Sequence, residues 1–238
     1  MFGRIYPAAA VSLSALLLAG CMSMVPDALR PAVPKPNPDV AGWSAYTLRV
    51  GEVYVTLPFC QNDIGWPLAP SQEPGLVVSV DMPQLWKGKR RARLASGTYE
   101  WNLVAGLPAF EFVVDLAKID GADPGSRPFD RWTLAARRAE REAESQGHPD
   151  SLSTEVVQIG GRRWLLAASG QQGEVLCEAY STDLTDDYCL VLGASYWPHP
   201  RPTDQWLAAR RRIVREVVER VRISHAPPPP QSAPRTKR

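Results

Sequence analysis

A run of cations beside an indole ring is the clearest binding chemistry in this sequence. Residues 86–93 read Trp-Lys-Gly-Lys-Arg-Arg-Ala-Arg, so five cations fall within the seven residues after the tryptophan. Clustered positive charge attracts acidic protein surfaces and anionic lipid headgroups. The alternative is an ordinary solvated loop. Because tryptophan is enriched at binding hot spots, a second tryptophan in a predicted loop joins the candidates. The candidate interface residues are Trp66, Trp86, Lys87, Lys89, Arg90, Arg91 and Arg93.

Side chains that could act in catalysis form no recognisable motif. Residues 193–197 read Gly-Ala-Ser-Tyr-Trp and lack the closing glycine of a hydrolase nucleophile elbow. Each histidine lies in a turn or tail context, where exposed polar side chains are expected; these are His148, His199 and His225. We therefore predict no enzyme activity and no cofactor. A hydrolase that uses two converging carboxylates is the least favoured alternative.

Three nearby aspartates, Asp183, Asp186 and Asp187, raise the question of a calcium site. Their spacing lacks the glycine and the distal glutamate of an EF-hand loop. Aspartate is also a residue that hairpin turns favour. We predict a turn here and no metal site.

The N-terminal segment has the layout of a secretory signal. Arg4 precedes an apolar run over residues 8–18, which is too short for a membrane span of about 20 residues. Leu18-Ala19-Gly20-Cys21 resembles the lipobox of bacterial lipoproteins. That resemblance implies cleavage before Cys21, lipid on its thiol and a stable membrane anchor. Inner-membrane members of the family usually carry aspartate after the cysteine. Met22 stands there, which implies the periplasmic face of the outer membrane.

Three further cysteines follow the lipobox. The periplasm permits disulfides. A turn over Thr182-Asp183-Leu184 would place Cys177 and Cys189 opposite each other on a hairpin, with Cβ atoms ~5 Å apart. We predict this disulfide, with two buried free thiols as the alternative. Cys60 is then the odd cysteine, buried or paired with another chain. No Cys-x-x-Cys pair is present, which argues against zinc.

Composition divides the chain into four parts. Residues 1–20 are the predicted signal, 21–42 a proline-rich spacer that starts at the lipidated cysteine, 43–225 one domain, and 226–238 a disordered, proline-rich basic tail. Six of the 27 basic and two of the 25 acidic residues lie outside the domain. The domain therefore has 21 basic and 23 acidic side chains, a net charge of −2, which argues against nucleic acid as a partner.

Two segments of the domain have apolar residues at helical spacing. The first follows Ser126, the predicted N-cap, and ends at Gly147. The second is capped by Thr203 and continues through Val221-Arg222-Ile223, with Arg210 as the one cation on its apolar face. The stripe of the first helix consists of Phe129, Trp132, Ala136, Ala139 and Ala143.

Five predicted strands precede the first helix, and four lie between the two helices. The clearest hairpin joins residues 154–159 to 162–168 through Gly160-Gly161, because two glycines adopt the positive φ angles of a tight turn. Short connections favour antiparallel pairing. We predict an α+β fold, a largely antiparallel sheet packed against two long amphipathic helices. This element order over residues 43–225 resembles the PsbP-like fold, which includes DcrB-type bacterial lipoproteins.

These observations favour a lipid-anchored binding module without catalysis. Its partners would be the membrane, through lipid at Cys21, and another protein. Within this class we consider an immunity or inhibitor lipoprotein against an antibacterial toxin, or an accessory subunit of an envelope machine. The alternative is a carrier of a small ligand or envelope component, which would require an apolar cavity between sheet and helix.

Overall fold

The computed structural model describes residues 39–59, 64–65, 77–80, 91–102, 107–118, 126–147, 152–170, 176–197 and 203–227. The predicted signal and lipidated Cys21 lie outside these ranges. Cys60, Trp66, Trp86, Lys87, Lys89 and Arg90 lie outside them too, as do His148 and His199.

Strands in the described residues form two sheets. The smaller sheet has the order β11-β2-β1-β4, with β1 at Ser44–Val50, β2 at Val53–Phe59, β4 at Val77–Ser79 and β11 at Arg222–Ser224. β1 and β2 form an antiparallel hairpin in which Val50 pairs with Val53. β11 is antiparallel to β2, and β4 is parallel to β1.

The larger sheet is antiparallel throughout and has the order β3-β5-β6-β10-β9-β8-β7. Its strands are β3 (Ile64–Gly65), β5 (Arg91–Asn102), β6 (Leu107–Lys118), β7 (Leu152–Ile159), β8 (Arg162–Gly170), β9 (Leu176–Asp183) and β10 (Tyr188–Tyr196). Alternate residues of β10 line the core, among them Leu190, Leu192 and Tyr196. This period of two is the one that a half-buried strand requires.

Two α-helices lie within the part of the chain that the structure describes. α1 (Pro128–Ser145) lies on the larger sheet, and only Pro128 and Phe129 are buried in it. α2 (Asp204–Arg220) contacts strands of both sheets and buries Ile213, Val214, Val217 and Val218. Neither helix is long and apolar enough to cross a lipid bilayer, as far as the described residues extend.

The two sheets and α2 share one apolar core. The rings of Phe59 on β2 and Phe112 on β6 meet edge to face, with centroids 5.8 Å apart. Glu100 on β5 fixes the start of α2, since it accepts hydrogen bonds from Trp206 Nε1 at 3.2 Å and Arg210 Nε at 2.9 Å. The guanidinium of Arg210 also lies 4.5 Å from the Trp206 ring centroid. These bonds explain the one cation on the inner face of this helix.

The α+β class and the largely antiparallel pairing are confirmed. The expectation of one sheet packed against two long helices is not borne out, because the strands form two sheets and α1 buries only its first turn. The last helix is also shorter than predicted. It ends at Arg220, and Arg222 to Ser224 pair with β2 as a strand instead.

One other boundary differs from the prediction. Val40–Gly42, assigned to the spacer, form a 3-10 helix whose Val40 is buried in the core. The packed domain therefore includes Val40. At α2 the predicted cap is confirmed, because the Thr203 hydroxyl accepts a hydrogen bond from Trp206 N at 3.2 Å.

Candidate functional site

An arginine-lined cleft lies at one end of the larger sheet, between the start of α1 and the end of α2. We call it the arginine cleft. Its volume is about 710 Å³, which is within the range of ligand sites. Four arginines line it: Arg127 before α1, Arg162 and Arg163 on β8, and Arg222 on β11. The other residues that line it are Phe129, Gly160, Gly161, Thr182, Asp183 and Glu219, with Val221 and Ile223.

The β7–β8 turn forms one wall of the arginine cleft, and the sequence predicted this turn correctly. Gly160 and Gly161 have φ angles of +58° and +75°, and Ile159 pairs with Arg162. Gly160 also packs against the end of α2, since a Cβ atom there would lie 2.7 Å from Glu219 O. This close approach brings Arg162 beside α2 and β11.

Asp183 joins the larger sheet to the start of α1. Its Oδ1 accepts a hydrogen bond from Phe129 N at 2.5 Å, although 54 residues separate the two in sequence. The N-cap residue is Arg127, which makes no side-chain capping bond, so the prediction of Ser126 as the cap is wrong. Burial raises the pKa of Asp183 above its ordinary value, and the hydrogen bond from Phe129 opposes that shift.

Asp183→Asn should stabilise the protein near neutral pH. The raised pKa means that the folded state disfavours the charged carboxylate, so the charge costs stability above the folded-state pKa. The amide oxygen of asparagine can still accept the bond from Phe129 N. We expect a higher melting temperature than the parent near neutral pH and no gain below the ordinary carboxyl pKa of 3.8. Thermal unfolding against pH measures this difference.

Asp183→Ala is the matched control for that experiment. It removes the charge and also the acceptor of the helix-capping bond. Loss of a cap typically costs about 1 kcal/mol, so the alanine variant should be less stable than the asparagine variant by that amount. A gain of Asp183→Asn that persisted at low pH would contradict the electrostatic explanation.

The arginines of the cleft differ in how they are held. The Arg163 guanidinium lies 4.7 Å from the Phe129 ring centroid and 3.3 Å from Asp130 Oδ1. Arg222 Nη1 donates to the carbonyls of Glu219 and Val221 at 3.0 and 3.3 Å. Within the described residues, the side chains of Arg127 and Arg162 make no hydrogen bond or ion pair. Burial lowers the pKa of Arg162, and the attraction of the nearby Asp183 carboxylate opposes that shift.

The predicted cation run is not a continuous loop. Arg91 and Arg93 lie on β5, where Arg91 Nε donates to Asp115 Oδ2 at 2.7 Å and Arg93 Nε donates to Oδ1. Asp115 is 1% exposed, whereas the two arginine side chains are about half exposed. These two cations therefore neutralise a buried carboxylate, and they lie on a different part of the larger sheet from the arginine cleft.

The predicted disulfide between Cys177 and Cys189 is absent, and both are free cysteines. The turn lies at residues 184–187 rather than at Asp183, so Cys177 pairs with Ser195 and Cys189 with Asp183. Six residues of strand separate the two thiols, or ~20 Å, far beyond bridging distance. Burial raises the pKa of Cys189 to about 12, which makes its thiol unreactive.

Carboxylates in the described residues are engaged in structural bonds where they are buried. Glu178 is 5% exposed and accepts hydrogen bonds from Tyr196 Oη at 3.2 Å and from Arg211 Nε. Burial and the nearby Glu178 raise the pKa of Tyr180 to about 12.

His225 is exposed on a separate shallow surface beside Glu52 and Asp186. No group of three or more His, Cys, Asp or Glu side chains in these ranges could hold a metal ion.

Sequence analysis did not predict the arginine cleft. Its four arginines come from three separate segments between residues 127 and 222, and only the fold brings these segments together. Gly160-Gly161 was the local signal that correctly predicted one wall of the cleft. Neither a scan against protein-family models nor a search of the curated proteins found a match to this chain. The fold and the cleft thus define an α+β domain of two sheets with an arginine-lined cleft.

Proposed function

We propose that this protein is a lipid-anchored binding module on the periplasmic face of the outer membrane, and that it holds another envelope protein without catalysing a reaction. The observation that carries the binding role is the arginine cleft, where the side chains of Arg127 and Arg162 make no hydrogen bond or ion pair within the described residues. Arg162 has lost part of its hydration, and the attraction of Asp183 compensates for only part of that loss. A ligand that brings further negative charge offsets the remaining cost.

The anchor rests on the sequence at the N-terminus. Leu18-Ala19-Gly20-Cys21 supports lipidation, and the proline-rich spacer would hold the domain away from the bilayer. An immunity or inhibitor lipoprotein and an accessory subunit of an envelope machine both need a rigid binding surface on a tether. We therefore propose these two roles together as the class of function. In either role, the partner is the envelope protein that binds the arginine cleft.

The packing of the core does not favour the carrier alternative. The void between α2 and the sheets, bounded by Phe59, Phe112 and Val217 among others, measures about 10 Å³. This is the size of a single water molecule and far below that of a lipid or small metabolite. Carboxylate catalysis also lacks support in the arginine cleft, because Asp183 caps α1 and Asp130 pairs with Arg163.

Cys21→Ser should release the protein from the membrane. Serine cannot accept the lipid that the lipobox resemblance implies, and no helix of the described residues could replace the anchor. We expect the parent chain in the detergent-soluble membrane fraction and the variant in the soluble periplasmic fraction. Cell fractionation with mass spectrometry of the mature N-terminus measures both. A parent chain that carries no acyl group would contradict the anchor.

A capture experiment tests the binding role. The tagged full chain is recovered from detergent-solubilised envelope, in parallel with a variant that carries both Arg127→Gln and Arg162→Gln. We expect a stoichiometric protein with the parent and its loss with the variant. Arg137→Gln with Arg138→Gln on the exposed side of α1 is the charge-matched control and should retain the partner. Recovery of no protein with the parent would contradict the proposal.

A further inference from the structure

The arrangement of the arginines limits the shape of what the arginine cleft can bind. Neighbouring residues of a strand point to opposite faces. Arg163 on β8 lies over Phe129 of α1, whereas Arg162 pairs with Ile159, which belongs to the core face. Arg127 is therefore grouped with Arg163 beside α1, and Arg222 with Arg162 beside α2. The two pairs lie on opposite sides of the end of the sheet.

A single small anion cannot engage both pairs at once. Phosphate or sulfate binds where several donors converge on one point, but these four guanidinium groups are divided between two faces of β8. A ligand with several acidic groups, spaced along an extended backbone, can contact both sides. The volume of about 710 Å³ leaves room for a few residues of such a chain.

The wall between the two pairs of arginines is suited to a close approach by a backbone. Gly160 and Gly161 form the rim of the cleft and carry no side chains. β11 is the terminal strand of the smaller sheet within the described residues, and Arg222 and Ile223 of this strand line the cleft. Extended peptides dock at such strand edges, where the backbone gives affinity and side-chain contacts give specificity.

We infer that the arginine cleft binds an extended acidic segment of the protein partner, with carboxylates on the Arg162 and Arg222 side and on the Arg127 and Arg163 side. This inference rests on the proposed role in protein binding and adds the chemistry of the partner. Arg162 and Arg127 are the main anchors, because neither side chain makes a hydrogen bond or ion pair in the described residues, although both interact electrostatically with Asp183. Asp183 opposes binding, because it places a negative charge between the anchors.

The test uses the full chain in detergent and a fluorescein-labelled peptide of alternating glutamate and serine. Fluorescence anisotropy measures the dissociation constant. We expect Arg162→Gln and Arg127→Gln each to weaken binding about tenfold, the size of one lost charge-assisted hydrogen bond. Asp183→Asn should strengthen it. Arg137→Gln with Arg138→Gln should leave the dissociation constant unchanged, and added salt should weaken binding by the parent.

Opposite effects of the arginine and aspartate substitutions separate binding from folding. Arg162→Gln removes a partly buried charge whose burial outweighs the attraction of Asp183, so its melting temperature should equal or exceed that of the parent while its affinity falls. A peptide of alternating glutamine and serine that bound as tightly as the glutamate peptide would overturn the inference. Inorganic phosphate that bound more tightly than the glutamate peptide, with the same dependence on Arg127 and Arg162, would replace it with a small-anion site.

The capture experiment distinguishes this inference from the proposed function. If a stoichiometric envelope partner is recovered equally by the parent and by the double Arg127→Gln and Arg162→Gln variant, the role in protein binding stands and the arginine cleft is not its site. If the glutamate peptide binds the arginine cleft but no envelope protein is recovered, the chemistry of the cleft stands and the proposed role fails.

Discussion

Replacing Arg91 and Arg93 together by glutamine should lower the free energy of unfolding by about 2–3 kcal/mol. Asp115 is 1% exposed, and each of its carboxylate oxygens accepts a hydrogen bond from one of the two guanidinium groups. Removal of one side of a fully buried pair costs about 3–5 kcal/mol, because the remaining charge is left without a partner. The expected loss is smaller here because both arginines are about half exposed and water can enter where they leave. Urea denaturation measures the loss.

Asp115→Asn in the same double variant separates the buried charge from general packing. The asparagine removes the carboxylate charge, so we expect it to restore part of the stability that the double variant lost. In the parent, Asp115→Asn should be destabilising, because both arginines then lose their counter-ion. If the asparagine lowered stability equally in both backgrounds, the two arginines would not be coupled to Asp115. Arg137→Gln with Arg138→Gln again provides the charge-matched surface control.

Features set by neighbouring residues were predictable from the sequence. The Gly160-Gly161 turn needs two positive φ angles, and the Thr203 cap needs a hydroxyl within reach of the first turn of α2. Both depend on fewer than five consecutive residues, and both are confirmed. The β9–β10 turn was also visible as a hairpin. Its position was wrong because Asp183 is held in the strand end by Phe129 N, a contact across 54 residues.

Features set by distant contacts could not be predicted in this way. The cation run was interpreted as a loop because its charges are adjacent in sequence. Arg91 and Arg93 instead lie on β5, where they bind Asp115, which is 24 residues beyond Arg91. The formation of β11 likewise depends on a distant contact, because Arg222 and Ile223 fit the helical pattern of the preceding residues equally well. Tertiary pairing with β2 decides between those two conformations.

Gly160→Ala should be among the most destabilising single substitutions in the β7–β8 hairpin, with a loss of about 3 kcal/mol. A positive φ costs about 1–2 kcal/mol for an alanine, and overpacking adds about 1–3 kcal/mol. Both apply at Gly160, because its φ is +58° and a Cβ atom would lie 2.7 Å from the backbone oxygen of Glu219. The oxygen belongs to the end of α2 and cannot move aside as a flexible side chain would.

Gly161→Ala is the matched control, since Gly161 has a φ of +75° but no atom within 4 Å of its added Cβ. We expect this variant to lose only about 1–2 kcal/mol, the backbone cost alone. The difference between the two variants, measured by urea denaturation, therefore reports the contact between the β7–β8 turn and α2. Equal losses would mean that Gly160 does not pack against Glu219. A larger loss for Gly160→Ala would show that the same contact that forms the arginine cleft also ties the larger sheet to α2.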